Sequence, residues 1–199
     1  MSYKCTIKQG NLLNEDNATF IVNASNTKLI LGSGVSMTFK RHCGLELQKE
    51  MTAQLEKLDS TLRKGDVVAT SSGSADNFEY TLHVAVMDYN QGVRGDDKLP
   101  TIEDIKSALF NIESYLEWYT KEKSGSIKLV LPLIGCGVGG LDKVYVIEIY
   151  RSYFLREVGF ECEVVIYGYN IEDYNLIKGI FKWKKKMYYR KNKRKYILS

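Results

Sequence analysis

Apolar residues recur along this chain at two spacings, and the spacing alternates between that of a strand and that of a helix. Tyr3–Gln9 (YKCTIKQ) alternates and predicts a first strand, closed by Gly10 and Asn11. The short run Phe20–Val22 predicts a second strand, followed by a polar turn that carries Asn23, Ser25 and Asn26. Val35, Phe39 and Cys43 predict a helix over Val35–Cys43 stopped by Gly44, and Leu47, Met51, Leu55 and Leu58 predict another over Leu45–Leu58. Asp66–Thr70 reads as a third strand, Ser71–Asn77 as a turn, and Tyr80–Tyr89 as a long apolar central strand. Beyond a polar surface loop, Gln91–Pro100, the Thr101-x-x-Asp104 start predicts a helix to about Lys121, with Ile105, Leu109, Ile112, Leu116 and Tyr119 as its stripe. Ile127–Ile134 predicts a buried strand that runs into the glycine-rich turn Gly135–Gly140. A helix over Leu141–Val158, a last strand over Glu161–Tyr167 and a last helix over Ile171–Phe181 follow.

Strands and helices in alternation predict a three-layer α/β sandwich around a mixed, largely parallel sheet. In such a sheet ligands sit beyond the carboxyl ends of the strands. Two strand-to-helix turns are rich in glycine, Gly32–Gly34 and Gly135–Gly140, and at one sheet edge they would form the two sides of a groove. The first combines free backbone N–H groups and the positive end of a helix with nearby side-chain amides, a place suited to an anion that also carries hydroxyls. In the second, glycines 135, 137, 139 and 140 let a ligand approach the backbone closely, so that several N–H groups point at one pyrophosphate. It is neither a Walker A loop nor G-x-G-x-x-G. Asn23 and Asn26 can accept from and donate to a ribose hydroxyl pair without placing charge beside a phosphate. Either amide can equally serve the loop backbone.

Composition narrows the class. At 199 residues, 44% hydrophobic and 26% charged, the chain reads as one soluble globular domain. No apolar run approaches the roughly 20 residues of a membrane span, and the N-terminus lacks the apolar core of a signal peptide. A cytoplasmic protein with no membrane partner is expected. Cys5, Cys43, Cys136 and Cys162 lie far apart without a C-x-x-C pair, so neither a disulfide framework, a metal site nor a cofactor is expected. The net charge of +4 is uneven: nine of 28 Lys/Arg and none of 24 Asp/Glu fall in residues 182–199, which leaves −5 on the rest. The basic character belongs to a tail, read as an extension to a domain over residues 1–181. That tail mixes its charges with Trp183, Tyr188, Tyr189 and Tyr196, so it is the part that could bind nucleic acid or another polyanion.

The stretch Val22–Gly44 (VNASNTKLILGSGVSMTFKRHCG) resembles the macro domain signature V-N-A-A-N followed by G-G-G-V-D-G-A-I-x-x-A-x-G. Three further runs agree in chain order. Gln9–Leu12 (QGNL) looks like the family's G-D-I turn, and Leu131–Gly140 (LPLIGCGVGG) like its P-x-x-S-T-G-I-Y-G phosphate loop. Tyr169–Tyr174 (YNIEDY) looks like its F-D-x-x-x-Y run. The resemblance spans about residues 3–181. It implies binding of ADP-ribose or of ADP-ribosylated protein, and in many members hydrolysis of ADP-ribosyl links or of ADP-ribose 1″-phosphate. By position, Asn11 and the Leu12 backbone would read adenine, with Tyr169 stacked on it and Asn170 beside it. Gly32, Ser33, Gly34 and Val35 would hold the phosphates from one side, and Ile134, Gly135, Cys136, Gly137, Val138, Gly139 and Gly140 from the other. Asn23 would line the pocket, and Asn26 would face the distal ribose as a catalytic residue.

The departures bear on catalysis. Asn11 replaces the family's adenine-reading Asp, and Ser36 stands where many hydrolytic members carry a water-positioning Asp. Ser36 is thus a second catalytic candidate, although serine alone is no effective general base. The aromatic residue that shields the distal ribose in the family falls on Gly139, which implies a more open distal pocket. The wording GSGVSMTFKRHCG and IGCGV is similar to the terminal ADP-ribose protein glycohydrolase branch. Its lysine nucleophile and Asp correspond to Ser71 and Gly139, so a lysine-adduct mechanism is disfavoured. A Cys136/His83 nucleophilic pair, a non-catalytic ADP-ribose reader and a polymer-binding module led by the tail are the alternatives.

Overall fold

In the computed structural model, which describes residues 2–32, 34–89, 98–123 and 125–182, six strands form one sheet in the order β1-β6-β5-β2-β4-β3. The strands are β1 (Tyr3–Gln9), β2 (Ala18–Asn26), β3 (Val67–Ser71), β4 (Phe78–Met87), β5 (Ile127–Leu131) and β6 (Cys162–Gly168). All neighbours run parallel except β3, which lies antiparallel to β4 at one edge. The helices are α1 (Gly34–Glu56), α2 (Ile102–Glu122), α3 (Lys143–Phe154) and α4 over residues 171–182, with a short 3-10 turn at Leu12–Asn14. The glycine turn at Ser33, most of the 91–100 loop and the tail from residue 183 onward fall wholly or partly outside the described residues.

Alternation along the strands sorts the core into two layers. Phe20, Val22, Leu82, Val84, Leu129 and Ile166 pack against α2 and α3. Ile21, Val68, Phe78, Val130 and Val165 face Phe39, Cys43, Leu47 and Met51 of α1. Ile177 of α4 joins the first layer. The result is a three-layer α/β/α sandwich with a mixed, largely parallel sheet.

Local chemistry sets the boundaries. Gly44 adopts φ 74°, ψ −172° and breaks α1 into the two helical stretches that the apolar spacing predicts. Thr101 and Asp104 form a reciprocal capping box at the start of α2. Asp142 caps α3 by accepting from Val144 N at 2.7 Å, so this helix begins two residues later than its apolar pattern predicts. β5 ends at Leu131, before Pro132, which has no N–H for the ladder. The largest difference is β2. It runs for nine residues, through Asn23, Ser25 and Asn26, where the sequence predicts a turn. Three polar residues continue the strand because neighbouring elements cover them: Asn23, Ser25 and Asn26 are all buried.

Candidate functional site

The carboxyl ends of the parallel strands open into a cleft of about 710 Å³, within the usual range of small-molecule sites. Gly10, Asn11 and Leu12 follow β1; Ala24, Ser25 and Asn26 end β2; Val86 and Met87 end β4; the turn after β5 brings Pro132 and Gly135 to Gly139; and Tyr167 lies near the end of β6, with Tyr169 and Asn170 just beyond it. Gly32, Gly34, Val35 and Ser36 close the opposite side. The two glycine-bearing turns thus face one cavity, as their placement after parallel strands predicts. The first turns of α1, α3 and α4 also reach it, so three helix dipoles present their positive ends. Among the described lining residues only Lys143 and Asp173 carry charge, and they pair with each other.

The second glycine turn keeps part of its backbone free. Cys136 N donates to Leu133 O at 3.3 Å and Gly140 N to Gly137 O at 3.1 Å. The N–H groups of Gly137, Val138 and Gly139 have no partner among the described residues and are the donors open to an anion. Ile134 is different from its sequence expectation: it is fully buried, and its N–H donates to Tyr150 Oη at 3.0 Å. Gly140 does not line the cleft either, and Ser33 lies outside the described residues. A Cβ at Gly139 would stand 2.5 Å from Gly135 O and 2.7 Å from Pro100 Cγ, so the backbone packing itself demands glycine there.

Asn23 sits behind the cleft wall. It belongs to a buried string of hydrogen bonds whose direction can be worked out from its end. Thr70 Oγ1 donates to Ser71 O at 2.9 Å, so it must accept from His83 Nε2–H, also at 2.9 Å. His83 Nδ1 then accepts from Asn23 Nδ2 at 3.0 Å, which leaves Asn23 Oδ1 to accept from Ser36 Oγ at 3.0 Å. Ser36 shares its one hydrogen between that oxygen and Ala24 O at 2.9 Å. Burial pulls the His83 pKa down to about 3, so the ring is neutral and in the Nε2–H form. Ser36, read as a catalytic candidate, therefore directs its proton into the sheet, and Asn23 holds the start of α1 onto β2 and β4.

Asn26 lines the cleft while holding its own turn. Its Oδ1 accepts from Lys28 N at 3.1 Å and Ile30 N at 3.2 Å, and its Nδ2 donates to Ile30 O at 2.9 Å. One amide hydrogen is left for a ligand. Asn11 likewise serves the backbone, accepting from Leu13 N at 3.1 Å as the cap of the 3-10 turn. Tyr169 stands at the mouth with 82% of its surface exposed, an open aromatic face. Cys136 lines the cleft, but burial pushes its thiol pKa up to about 12, and His83 is bound to Asn23 and Thr70. This argues against the Cys136/His83 nucleophilic pair: both imidazole nitrogens are engaged with other residues, and burial keeps the thiol protonated.

Sequence reasoning missed Glu15. Its buried carboxylate accepts from Lys8 at 2.7 Å, from Lys128 at 3.3 Å and from Tyr167 Oη at 2.8 Å, linking β1, β5 and β6 behind the cleft. Burial alone would raise its pKa, but the hydrogen bonds from Lys8, Tyr167 and Lys128 outweigh that and lower it. Nothing in the sequence around Glu15 marks it, since its partners lie up to 152 residues away. Among the described residues no three His, Cys, Asp or Glu side chains are grouped to hold a metal ion, and no helix is long and apolar enough to cross a membrane.

Comparison with known proteins gives the following. The sequence model of the Macro domain family matches residues 22–150. An uncharacterised protein of Saccharolobus solfataricus is 28% identical over 176 residues, covering 85% of this chain and 88% of its own length. The structure of the Oceanobacillus iheyensis macrodomain with ADP superposes with a TM-score of 0.74 at 22% identity, over 92% of each chain. The Trypanosoma brucei macrodomain in complex with ADP-ribose superposes with a TM-score of 0.67 at 19% identity, over 88% of this chain and 68% of that one. At such identities the two structural likenesses establish the fold.

Proposed function

We propose that this chain, which belongs to the Macro domain family, binds ADP-ribose or an ADP-ribose derivative in the cleft at the carboxyl edge of its sheet. The observation that carries the reading is the set of unpartnered N–H groups at Gly137, Val138 and Gly139, placed across one cavity from the first turn of α1. A diphosphate bridging the two would be held by backbone dipoles, with no lysine or arginine needed. The exposed ring of Tyr169 and the turn at Asn11 and Leu12 offer the base a stacking face and polar edges. Calorimetry with ADP-ribose tests this: saturable binding at micromolar ligand is expected, and no heat at millimolar ligand would remove the reading.

Binding is better supported than turnover. The carboxylate that would position water is replaced by Ser36, whose hydroxyl is tied inward. One observation favours hydrolysis as a second reading. Ser25 Oγ is buried in the cleft wall without a hydrogen-bond partner among the described residues, a position that an ordered water or a ligand oxygen would satisfy. Release of ADP-ribose from ADP-ribosylated protein, or of phosphate from ADP-ribose 1″-phosphate, lost on Ser25→Ala would establish it. No release by the parent protein leaves a non-catalytic reader. Residues 1–181 are read as the binding module. The basic tail, the part read as able to bind nucleic acid, lies outside the described residues from 183 onward. ADP-ribose affinity unchanged on deleting residues 183–199 would show that the cleft acts independently.

A further inference from the structure

The only charged side chains lining the cleft among the described residues are two that touch each other. Lys143 Nζ lies 2.6 Å from Asp173 Oδ1. Lys143 is the first residue of α3, an end at which a cation opposes the helix dipole. Its placement therefore rests on Asp173, in the first turn of α4, whose N–H donates to Asn170 Oδ1 at 2.8 Å. The pair thus joins the starts of α3 and α4 at the lining of the cleft. Asp173 is largely enclosed, its side chain 12% exposed, whereas Lys143 is 41% exposed.

The position of the pair is as informative as its chemistry. Cys136 in the glycine turn lies within the fields of both Lys143 and Asp173. Asn170 adjoins the pair through the Asp173 N–H, and Tyr169, one residue before it in the chain, lines the same cleft. A nucleotide stacked on Tyr169 with its diphosphate on the N–H groups of Gly137–Gly139 would carry its sugar between those two anchors, in the cleft that the pair also lines. Asp173 Oδ1 is taken by Lys143, while Oδ2 has no partner among the described residues. The ammonium keeps two further hydrogens. The two residues therefore offer an acceptor beside a donor at zero net charge, which is what a vicinal diol requires. A phosphate on that sugar would replace the hydroxyl that donates to Oδ2 with a group that only accepts, so Asp173 opposes it while Lys143 attracts it.

We propose that the Lys143–Asp173 pair reads the nucleotide sugar, selecting an unsubstituted ribose diol over one that carries a 2′-phosphate. The proposal rests on the ADP-ribose reading of the cleft. Calorimetry on the full chain with ADP-ribose and with 2′-phospho-ADP-ribose tests it. The parent protein is expected to prefer ADP-ribose by about tenfold or more, the scale of one hydrogen bond to a charged acceptor left unmade. Asp173→Asn leaves the ammonium unopposed and lowers that preference at least about fivefold. Lys143→Met leaves the carboxylate unopposed and raises it by a similar factor. A merely structural ion pair would move both ligands together and both variants in one direction. Equal or tighter binding of the 2′-phosphate ligand by the parent, or variants that shift the preference the same way, would overturn the proposal and leave the cleft assignment standing. Failure of ADP-ribose itself to bind would remove both.

Discussion

Lowering the pH from 7.5 to 5.0 should weaken this fold through one side chain, His83. Its ring is wholly buried and both nitrogens are committed, Nδ1 to Asn23 and Nε2 to Thr70, so the folded state has no room for a second ring proton. Burial holds its pKa near 3 in the fold, against about 6.5 in an unfolded chain. The unfolded state therefore takes up a proton that the folded state refuses. The contribution is complete above about pH 6.5, erodes as the pH falls, and is fully lost below the folded value. At pH 5.0 the unfolded histidine is about 1.5 units past its midpoint, which corresponds to about 2 kcal/mol of lost stability. That is a large part of the roughly 5–15 kcal/mol that holds a typical domain together.

Urea unfolding of the parent and of His83→Gln at the two pH values isolates the effect. Glutamine keeps a donor and an acceptor but does not titrate. It should cost about 1–3 kcal/mol at both pH values through imperfect hydrogen bonding, and its acid-induced loss should be about 2 kcal/mol smaller than that of the parent. His42, hydrogen-bonded to Asn77 at the surface, is common to both proteins and cancels. Glu15, whose carboxyl pKa is lowered, gives up its contribution only at lower pH still. An equal loss in the two proteins would refute the burial of a neutral His83 and, with it, the direction assigned to the string that ends at Ser36.

Three further outcomes are expected. Asn26→Ala removes the three hydrogen bonds that close the 26–30 turn; a loss of about 1–2 kcal/mol, seen as a melting point lower by about 2–8 °C, should accompany weaker ADP-ribose binding, and an unchanged melting point would deny the turn its anchor. Gly139→Ala drives a Cβ onto Gly135 O and the Pro100 ring, so ADP-ribose affinity should fall at least about tenfold as the N–H groups are displaced, whereas parent-like affinity would show that the turn yields. With its thiol pKa up at about 12, Cys136 should resist iodoacetamide at pH 7.5 by intact-mass analysis, and Cys136→Ser should bind ADP-ribose like the parent; rapid alkylation would contradict the enclosed site.

What could be read before the structure divides along a physical line. Helices α2 and α4, strand β1 and the break at Gly44 were legible because each depends on local terms: a capping box, a period, a residue that tolerates positive φ. The two glycine turns were legible because a parallel sheet gathers all such turns at one edge. The pattern failed where a polar residue finds its partner on another strand. β2 looked three residues long because Asn23 and Ser25 broke its apolar run, yet His83 and Ser36 solvate Asn23 inside the core as water would outside. Glu15 was silent for the same reason.

That line also separates the two amides of Val22–Asn26. An asparagine in a signature invites a ligand-facing role, because a side-chain amide in an apolar stretch must be satisfied by something. In Asn23 the satisfying group is a buried imidazole 60 residues away, and in Asn26 it is the backbone four residues on. Both leave the ligand chiefly to backbone N–H groups and helix ends. Among the described residues the cleft consequently carries no charged side chain beyond its one ion pair, and the side-chain amides of Asn11, Asn23 and Asn26 serve mainly the protein itself. A site so built can hold a diphosphate strongly and offers little to move a proton, so binding follows from its geometry more directly than hydrolysis does.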